Sequence, residues 1–277
     1  EWDRVVLEYL GDLADYVSLH RYVDNRADDT ADFLAVTNAI DRQIEQMDAA
    51  CRVVQAKRRS YKRPYLCFDE WNVWYKTFNR EGMDPEGDFP RHLIEEVYNL
   101  EDALVAAGFL NSFIRHADCV KIANIAQIVN VIAPILTRGD ELLIQSIYHV
   151  FEMCSKRREG VALRPAVQGP VYQGSLNGEG HYLDCSAILD GNRLQVFASN
   201  RSQDEEMDLS IEVADRSIAS PQSAELLTGP DAKAANSFEA PDVVRSERFE
   251  GFEVRGGKAR LSLPPLSVLA ARLELES

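Results

Sequence analysis

The sequence predicts an α/β region followed by an all-β region, on three observations. Up to about residue 160, short continuous apolar runs alternate with long helical periods. After Arg164, short alternating segments are divided by Gly, Asn, Asp and Pro turns, as in an antiparallel sandwich. The chain has 277 residues, 45% hydrophobic and 27% charged, enough to bury a core in one or two domains. Domains are expected over 1–163 and 164–277.

Taken in order, "DYVSLHRYV" (15–23) reads as a strand. "DFLAVTNAIDRQIEQMDAACRVVQAKRR" (32–59) reads as one helix, with Phe33, Val36, Ile40, Ile44, Met47, Cys51 and Val54 at helical spacing. "YLCFD", opened by Pro64, reads as a strand buried on both faces, as in a parallel sheet covered by helices. A loop rich in Gly, Pro and Asp (80–90) leads to a helix over 91–117. "CVKIANIAQIVN" (119–130) reads as a strand running into polar residues, and 141–158 as a further helix. Strand–helix alternation of this kind signals a parallel arrangement. Beyond it, "YLDCSAILD", "RLQVFASNRS", "MDLSIEVA", "SAELLT", "FEVRGGKARLSL" and "SVLAARLEL" read as sandwich strands. The run "RSQDEEMD" (201–208) reads as a solvated hairpin turn, and "GPDAKAANSFEAPDVV" as a sandwich loop and partner surface.

Composition excludes several classes. A net charge of −15 argues against a nucleic-acid groove or an anionic membrane surface, and the short basic run 57–63 does not outweigh it. No apolar run is long enough to span a bilayer, and "EWDRVVLEYL" has no signal-peptide pattern. Five widely spaced cysteines without a C-x-x-C pair read as reduced thiols, which favours the cytoplasm. Five histidines without metal-ligand spacing lead to the expectation of no metal, and no cofactor motif is found.

Three strand ends carry polar groups that buried strands do not need: His20 and Tyr22; Asp69, Glu70, Asn72 and Trp74; Asn124 and Gln127. In a (β/α)8 barrel such ends converge on one mouth. A carboxylate beside a tyrosine hydroxyl, ringed by tryptophan and amides, suits a sugar, whose apolar face stacks on aromatics while its hydroxyls bind polar groups. Two-residue periodicity turns Asp69 away from Glu70 and gives it a supporting role. Gln127 also reads as a group that satisfies buried backbone, and Asn72 and Asn124 as supports around the site.

"DYVSLHRY", "CFDEWNVWY", "IANIAQIVNVIAPI" and "ELLTGPDAKAANSFEAPDVV" resemble, in order, glycoside hydrolase family 51, the α-L-arabinofuranosidases. The resemblance implies that the α/β region is the last three βα units of a (β/α)8 TIM barrel. It implies that the all-β region is a jelly-roll-like antiparallel β-sandwich. By it, Glu70 is the catalytic nucleophile at the end of the seventh barrel strand, and His20 and Tyr22 end the sixth, the tyrosine bonding the nucleophile. Trp74 lies near the sugar subsite, and Gln127 makes a polar contact after the eighth strand. The implied activity is retaining, exo-acting release of terminal arabinose from arabinan, arabinoxylan or their oligosaccharides, by a homo-oligomer when full length. β-Xylosidase or endoglucanase specificity on the same fold, and a non-catalytic carbohydrate-binding piece, stay open.

The family's acid/base carboxylate, in an Asn-Glu pair after the fourth strand, has no counterpart in this sequence; "LNGEG" (176–180) lacks its context. A complete barrel takes about 250 residues, so the chain is expected to be the C-terminal part of a longer enzyme. Alone it is expected to lack glycosidase activity and to associate through open strand edges.

Overall fold

The structure, a computed structural model, describes residues 1–79 and 94–276. The expected loop at 80–90 and the start of the expected helix at 91–93 lie outside the described residues. Helix α1 (Trp2–Leu10) was not expected; only Leu7 of it is buried, with Trp2 and Tyr9 exposed.

Strands β1 (Tyr16–Val23), β2 (Tyr65–Val73) and β3 (Val120–Ile125) form a parallel sheet in the order β1-β2-β3. The β1–β2 crossover contains two helices where one was expected, α2 (Thr30–Leu34) and α3 (Thr37–Arg58). Phe33, Val36 and Ile40 are all buried, so the apolar period runs across the break and hides it. A 3₁₀ turn follows β2 at Lys76–Asn79. Helix α4 (Leu100–Arg115) starts later than expected because Asn99 and Asp102 form a reciprocal capping box that fixes its first turn. Thr37 Cγ2 comes within 2.4 Å of where a Cβ on Gly108 would stand, so glycine permits this approach of α3 and α4.

After β3, which ends five residues earlier than expected, the chain forms a hairpin of β4 (Ile135–Arg138) and β5 (Glu141–Ile144). Gly139, at φ 59°, makes its turn, so 141–144 belongs to a strand and helix α5 is confined to Ser146–Ser155.

The remaining strands are β6 (Val161–Leu163), β7 (Val171–Gln173), β8 (Glu179–His181), β9 (Leu183–Asp190), β10 (Arg193–Asn200), β11 (Met207–Ile211), β12 (Ile218–Thr228), β13 (Arg245–Arg248), β14 (Glu253–Arg255), β15 (Lys258–Leu263) and β16 (Ser267–Leu275). A six-stranded sheet runs β13-β12-β16-β10-β9-β6, and a three-stranded sheet runs β11-β15-β14. Register shifts on both sides of Pro221 let β12 keep a proline in the ladder.

The large sheet is covered on both faces. Leu269 and Ala271 pack with Leu261 and Leu263 of the small sheet, whereas Val268, Ala270, Phe197 and Leu227 join the core of α4 and α5. Single-sided alternation therefore does not describe β9, β10 and β16. One loop expectation changes as well. Arg201 and Ser202 are buried, and 201–206 crosses between the two sheets, so the run is not a solvated hairpin turn. The segment 229–244 is a loop between sandwich strands β12 and β13, as expected, and it also packs on the start of α4, where Ala234 O and Ala232 O accept from Leu100 N and Glu101 N. Among the described residues no helix is long and apolar enough to cross a membrane.

Candidate active site

Parallel pairing sets the site. His20 stands opposite Glu70 and Tyr22 opposite Asn72, so the polar ends of β1 and β2 are neighbours. The register shifts between Ser18 and His20 against β1, and between Phe68 and Trp71 against β3. At both of these shifts β2 carries one residue more than its partner, which is a bulge at Phe68–Glu70. The bulge breaks the two-residue alternation, and the expectation that Asp69 turns away from Glu70 is corrected. One imidazole reaches both acids: His20 Nε2 lies 3.4 Å from Asp69 Oδ1, and Nδ1 lies 3.4 Å from Glu70 Oε2.

Glu70 is held from two sides. The Tyr22 hydroxyl donates a short hydrogen bond to Glu70 Oε1, and His20 faces Oε2. Its side chain stays 40% exposed, so the carboxylate is oriented without being closed off. Burial, then the bond to Glu70, pushes the Tyr22 phenol far above its usual range, so it remains a donor. For Asp69, burial acts to raise the pKa, but the hydrogen bond from Ser18 Oγ (2.8 Å) and His20 outweigh it and hold it below the ordinary value. Among the described residues, neither acid has a lysine or arginine partner within salt-bridge distance.

Trp74 completes the group. Its backbone N–H donates to Val23 O (3.1 Å), and its ring meets that of Tyr22 edge-on at 5.3 Å. The indole N–H donates to Thr77 Oγ1 at 3.1 Å. Asn72 is buried and donates at 2.6 Å to both Ala126 O and Ile132 O, which ties the segment after β3 to β2. Gln127 lies on that segment with an exposed side chain. Among the described residues it makes no side-chain hydrogen bond to Glu70, Tyr22 or His20, so the structure gathers four of the five expected residues directly. Asn124 is exposed on β3.

Sequence reasoning missed Glu96. It is fully buried, and its carboxylate accepts from Tyr75 N (2.7 Å), Lys76 N (2.7 Å) and Thr77 N (3.0 Å) behind Trp74. The Asn99-x-x-Asp102 capping signal was the available clue that Glu96 lies outside the helix.

His116, Asp118 and Cys119 offer ligand atoms within 4.8 Å of one another, away from this mouth. His116 Nδ1 faces the Arg164 guanidinium at 3.4 Å, which can only donate, and Nε2 lies 3.4 Å from Asp41 Oδ1. Asp118 pairs with Arg164 and Arg52, and burial pushes the Cys119 thiol up to about 11. The donors are thus already engaged by protein groups.

An oriented, accessible glutamate beside a phenol, an imidazole and an indole can attack or deprotonate a neutral ligand resting on the indole. The comparisons agree in kind. The family model for the α-L-arabinofuranosidase C-terminal domain matches residues 69–267. An intracellular exo-α-(1→5)-L-arabinofuranosidase from Acetivibrio thermocellus is 38% identical over 214 residues, 75% of this chain and 42% of that protein. Intracellular exo-α-(1→5)-L-arabinofuranosidase 1 from Bacillus subtilis is 36% identical over all of this chain and 56% of its own length. The solved structure of a family 51 α-L-arabinofuranosidase from Bifidobacterium longum matches at a TM-score of 0.89 and 26% identity, covering 99% of this chain and 55% of that one. The chain thus spans about half the length of the proteins it matches.

Proposed function

The chain belongs to the α-L-arabinofuranosidases of glycoside hydrolase family 51, and on that premise we propose that it supplies the nucleophile half of a retaining, exo-acting arabinofuranosidase. In this reading 1–163 are the last three βα units of a (β/α)8 barrel and 164–277 a jelly-roll-like sandwich braced against them. Glu70 attacks the anomeric carbon of a terminal α-L-arabinofuranosyl unit as the glycosidic bond breaks, giving a covalent glycosyl-enzyme. The acid/base, from sequence outside this chain, protonates the leaving oxygen and then activates the water that releases arabinose. Tyr22 and His20 hold the Glu70 carboxylate, Trp74 receives the apolar side of the sugar, and Gln127 contacts a hydroxyl. The substrates are arabinan, arabinoxylan and their oligosaccharides. The relatives named intracellular suggest the cytoplasm.

Glu70 carries the proposal, because its two oxygens are fixed by different neighbours while the side chain stays open to a ligand. The test is turnover of aryl α-L-arabinofuranoside against aryl β-xyloside, with this chain alone and with the remaining portion supplied. Arabinofuranoside turnover only in the completed protein is expected. Preference for the xyloside favours a β-xylosidase, and binding without turnover in the completed protein favours a carbohydrate-binding piece. Ordinary turnover by this chain alone sinks the division of the site.

A further inference from the structure

We propose that Glu96 is a positioning residue that fixes the Trp74 indole across the mouth and so sets how tightly the sugar ring is held over Glu70. The inference rests on the arabinofuranosidase reading above and deepens it. Segment 73–77 is secured from behind at nearly every residue. The Tyr98 hydroxyl donates to Val73 O at 3.0 Å, and the Glu96 carboxylate collects the N–H groups of Tyr75, Lys76 and Thr77. Lys76 Nζ reaches Val97 O at 2.8 Å and also the Asp102 carboxylate.

A buried carboxylate accepting three backbone N–H groups is a strong anchor, since charge-assisted bonds are stronger than neutral ones and water is excluded. Its effect reaches the site through Thr77. Thr77, fixed by Glu96, is buried and accepts the indole N–H of Trp74, whose ring meets Tyr22, which in turn bonds Glu70. Glu96 is itself held. Gln145, fully buried, donates from Nε2 to Glu96 O (3.0 Å) and Ala133 O (2.6 Å), and its Oε1 accepts from Tyr98 N at 2.9 Å. That amide links the Trp74 turn to the segment that follows Gln127, so both walls of the mouth share one support.

An aromatic wall fixed in this way improves binding of the sugar because no ordering cost is incurred when the ligand arrives. Loosening it should raise KM more than it lowers kcat, since Glu70 keeps both its neighbours. The experiment uses the completed enzyme and aryl α-L-arabinofuranoside, with Glu96→Gln and Thr77→Val measured alone and in a Trp74→Phe background, which lacks the indole N–H. Glu96→Gln keeps the side chain's size but turns an N–H₂ toward backbone donors; it should raise KM about tenfold with kcat within about threefold. Thr77→Val, nearly isosteric, should raise KM about threefold, and that effect should vanish in Trp74→Phe. Equal losses in kcat and KM for Glu96→Gln, or a Thr77→Val effect that persists in Trp74→Phe, would overturn the assignment. If Glu96→Gln fails to fold, the Thr77→Val and Trp74→Phe cycle decides alone. An inactive parent enzyme would instead sink the function proposed above, so the two failures are told apart by the unmutated control.

Discussion

Two of the chain's adjacent pairs of carboxylates, Asp69–Glu70 on β2 and Glu101–Asp102 on α4, have opposite surroundings. Glu101 and Asp102 are fully buried. Glu101 accepts from Thr30 Oγ1 (2.7 Å), Asn25 Nδ2 (3.2 Å) and Lys233 Nζ (2.8 Å), and Asp102 takes the Asn99 N–H (2.9 Å) and the Lys76 ammonium. Both sit in the first turn of α4, where the helix dipole favours negative charge. Asp69 and Glu70 are 38% and 40% exposed; they share the His20 imidazole, Ser18 Oγ bonds Asp69, the Tyr22 phenol bonds Glu70, and among the described residues no lysine or arginine pairs with either. Burial beside a cation immobilises a carboxylate and keeps a ligand from reaching it, even where one oxygen, Asp102 Oδ1, is left without a hydrogen bond. Partial pairing orients a carboxylate and leaves its charge available. A sequence that reads Asp-Glu or Glu-Asp does not distinguish these; burial and cations do.

The sharpest way to break the contrast is Glu70→Gln. Activity of the completed enzyme should fall on the order of 10⁴-fold or more, the scale of removing a nucleophile. Thermal stability should stay within about 0.5 kcal/mol, because the side chain is part-exposed and keeps an acceptor for Tyr22. Activity on aryl arabinofuranoside and a denaturant titration on the same preparation check both halves. Survival of turnover would remove Glu70 from the chemistry.

Glu101→Gln should reverse the pattern. Thr30 and Asn25 donate to one oxygen, and Asn99 and Lys233 to the other, so an amide leaves one set of donors unmet. Lys233 keeps Asp28 at 2.6 Å and is half-exposed, which limits the loss to about 2–3 kcal/mol. The denaturant midpoint should drop while kcat holds within about twofold at temperatures where the protein is folded. A variant as stable as the parent would show that this pair is not structural.

Much of this difference was visible in the residue order, and some was not. The apolar run from Tyr65 to Phe68 and the polar strand ends located β2, Glu70, Tyr22 and His20, because a parallel sheet brings consecutive strand ends side by side. Trp74 stood among the same strand-end groups, and the family resemblance placed it near the sugar. The bulge at Phe68–Glu70 was hidden, since an extra residue in one strand is a property of the pairing and leaves no periodic trace. The helix expected over 91–117 concealed Glu96 for a related reason: Ile94, Glu95 and Val97 suit a helical period, and only the cap at Asn99 says otherwise. Buried Arg201 was misread because its partner, Asp184, lies 3.1 Å away in space but on the preceding strand of the sheet. Gln127 was located by the pattern of β3, yet its side chain follows the segment that Asn72 ties down, and that tie is tertiary.

The smallest effect is expected at Asp69, and it tests whether the bulge gives this acid a share in the site. Asp69→Asn keeps an oxygen for Ser18 Oγ and removes only the charge that His20 faces. The folded-state pKa of Asp69 lies below its ordinary value of 3.8, so its ionisation stabilises the protein above that pH. The contribution is lost as the pH falls through the lower, folded value. A part-exposed acid is screened, so the difference between parent and Asp69→Asn should be under about 0.5 kcal/mol at neutral pH and should close below pH 3.8. Denaturant titrations between pH 3 and pH 7 measure it. On activity the charge acts through His20, which also faces Glu70, so kcat should change by about threefold at most and Tyr22 should still hold Glu70. A loss of activity approaching that of Glu70→Gln would make Asp69 and Glu70 a working pair, and the contrast with Glu101–Asp102 would then be between two cooperative pairs, not between a reactive acid and its support.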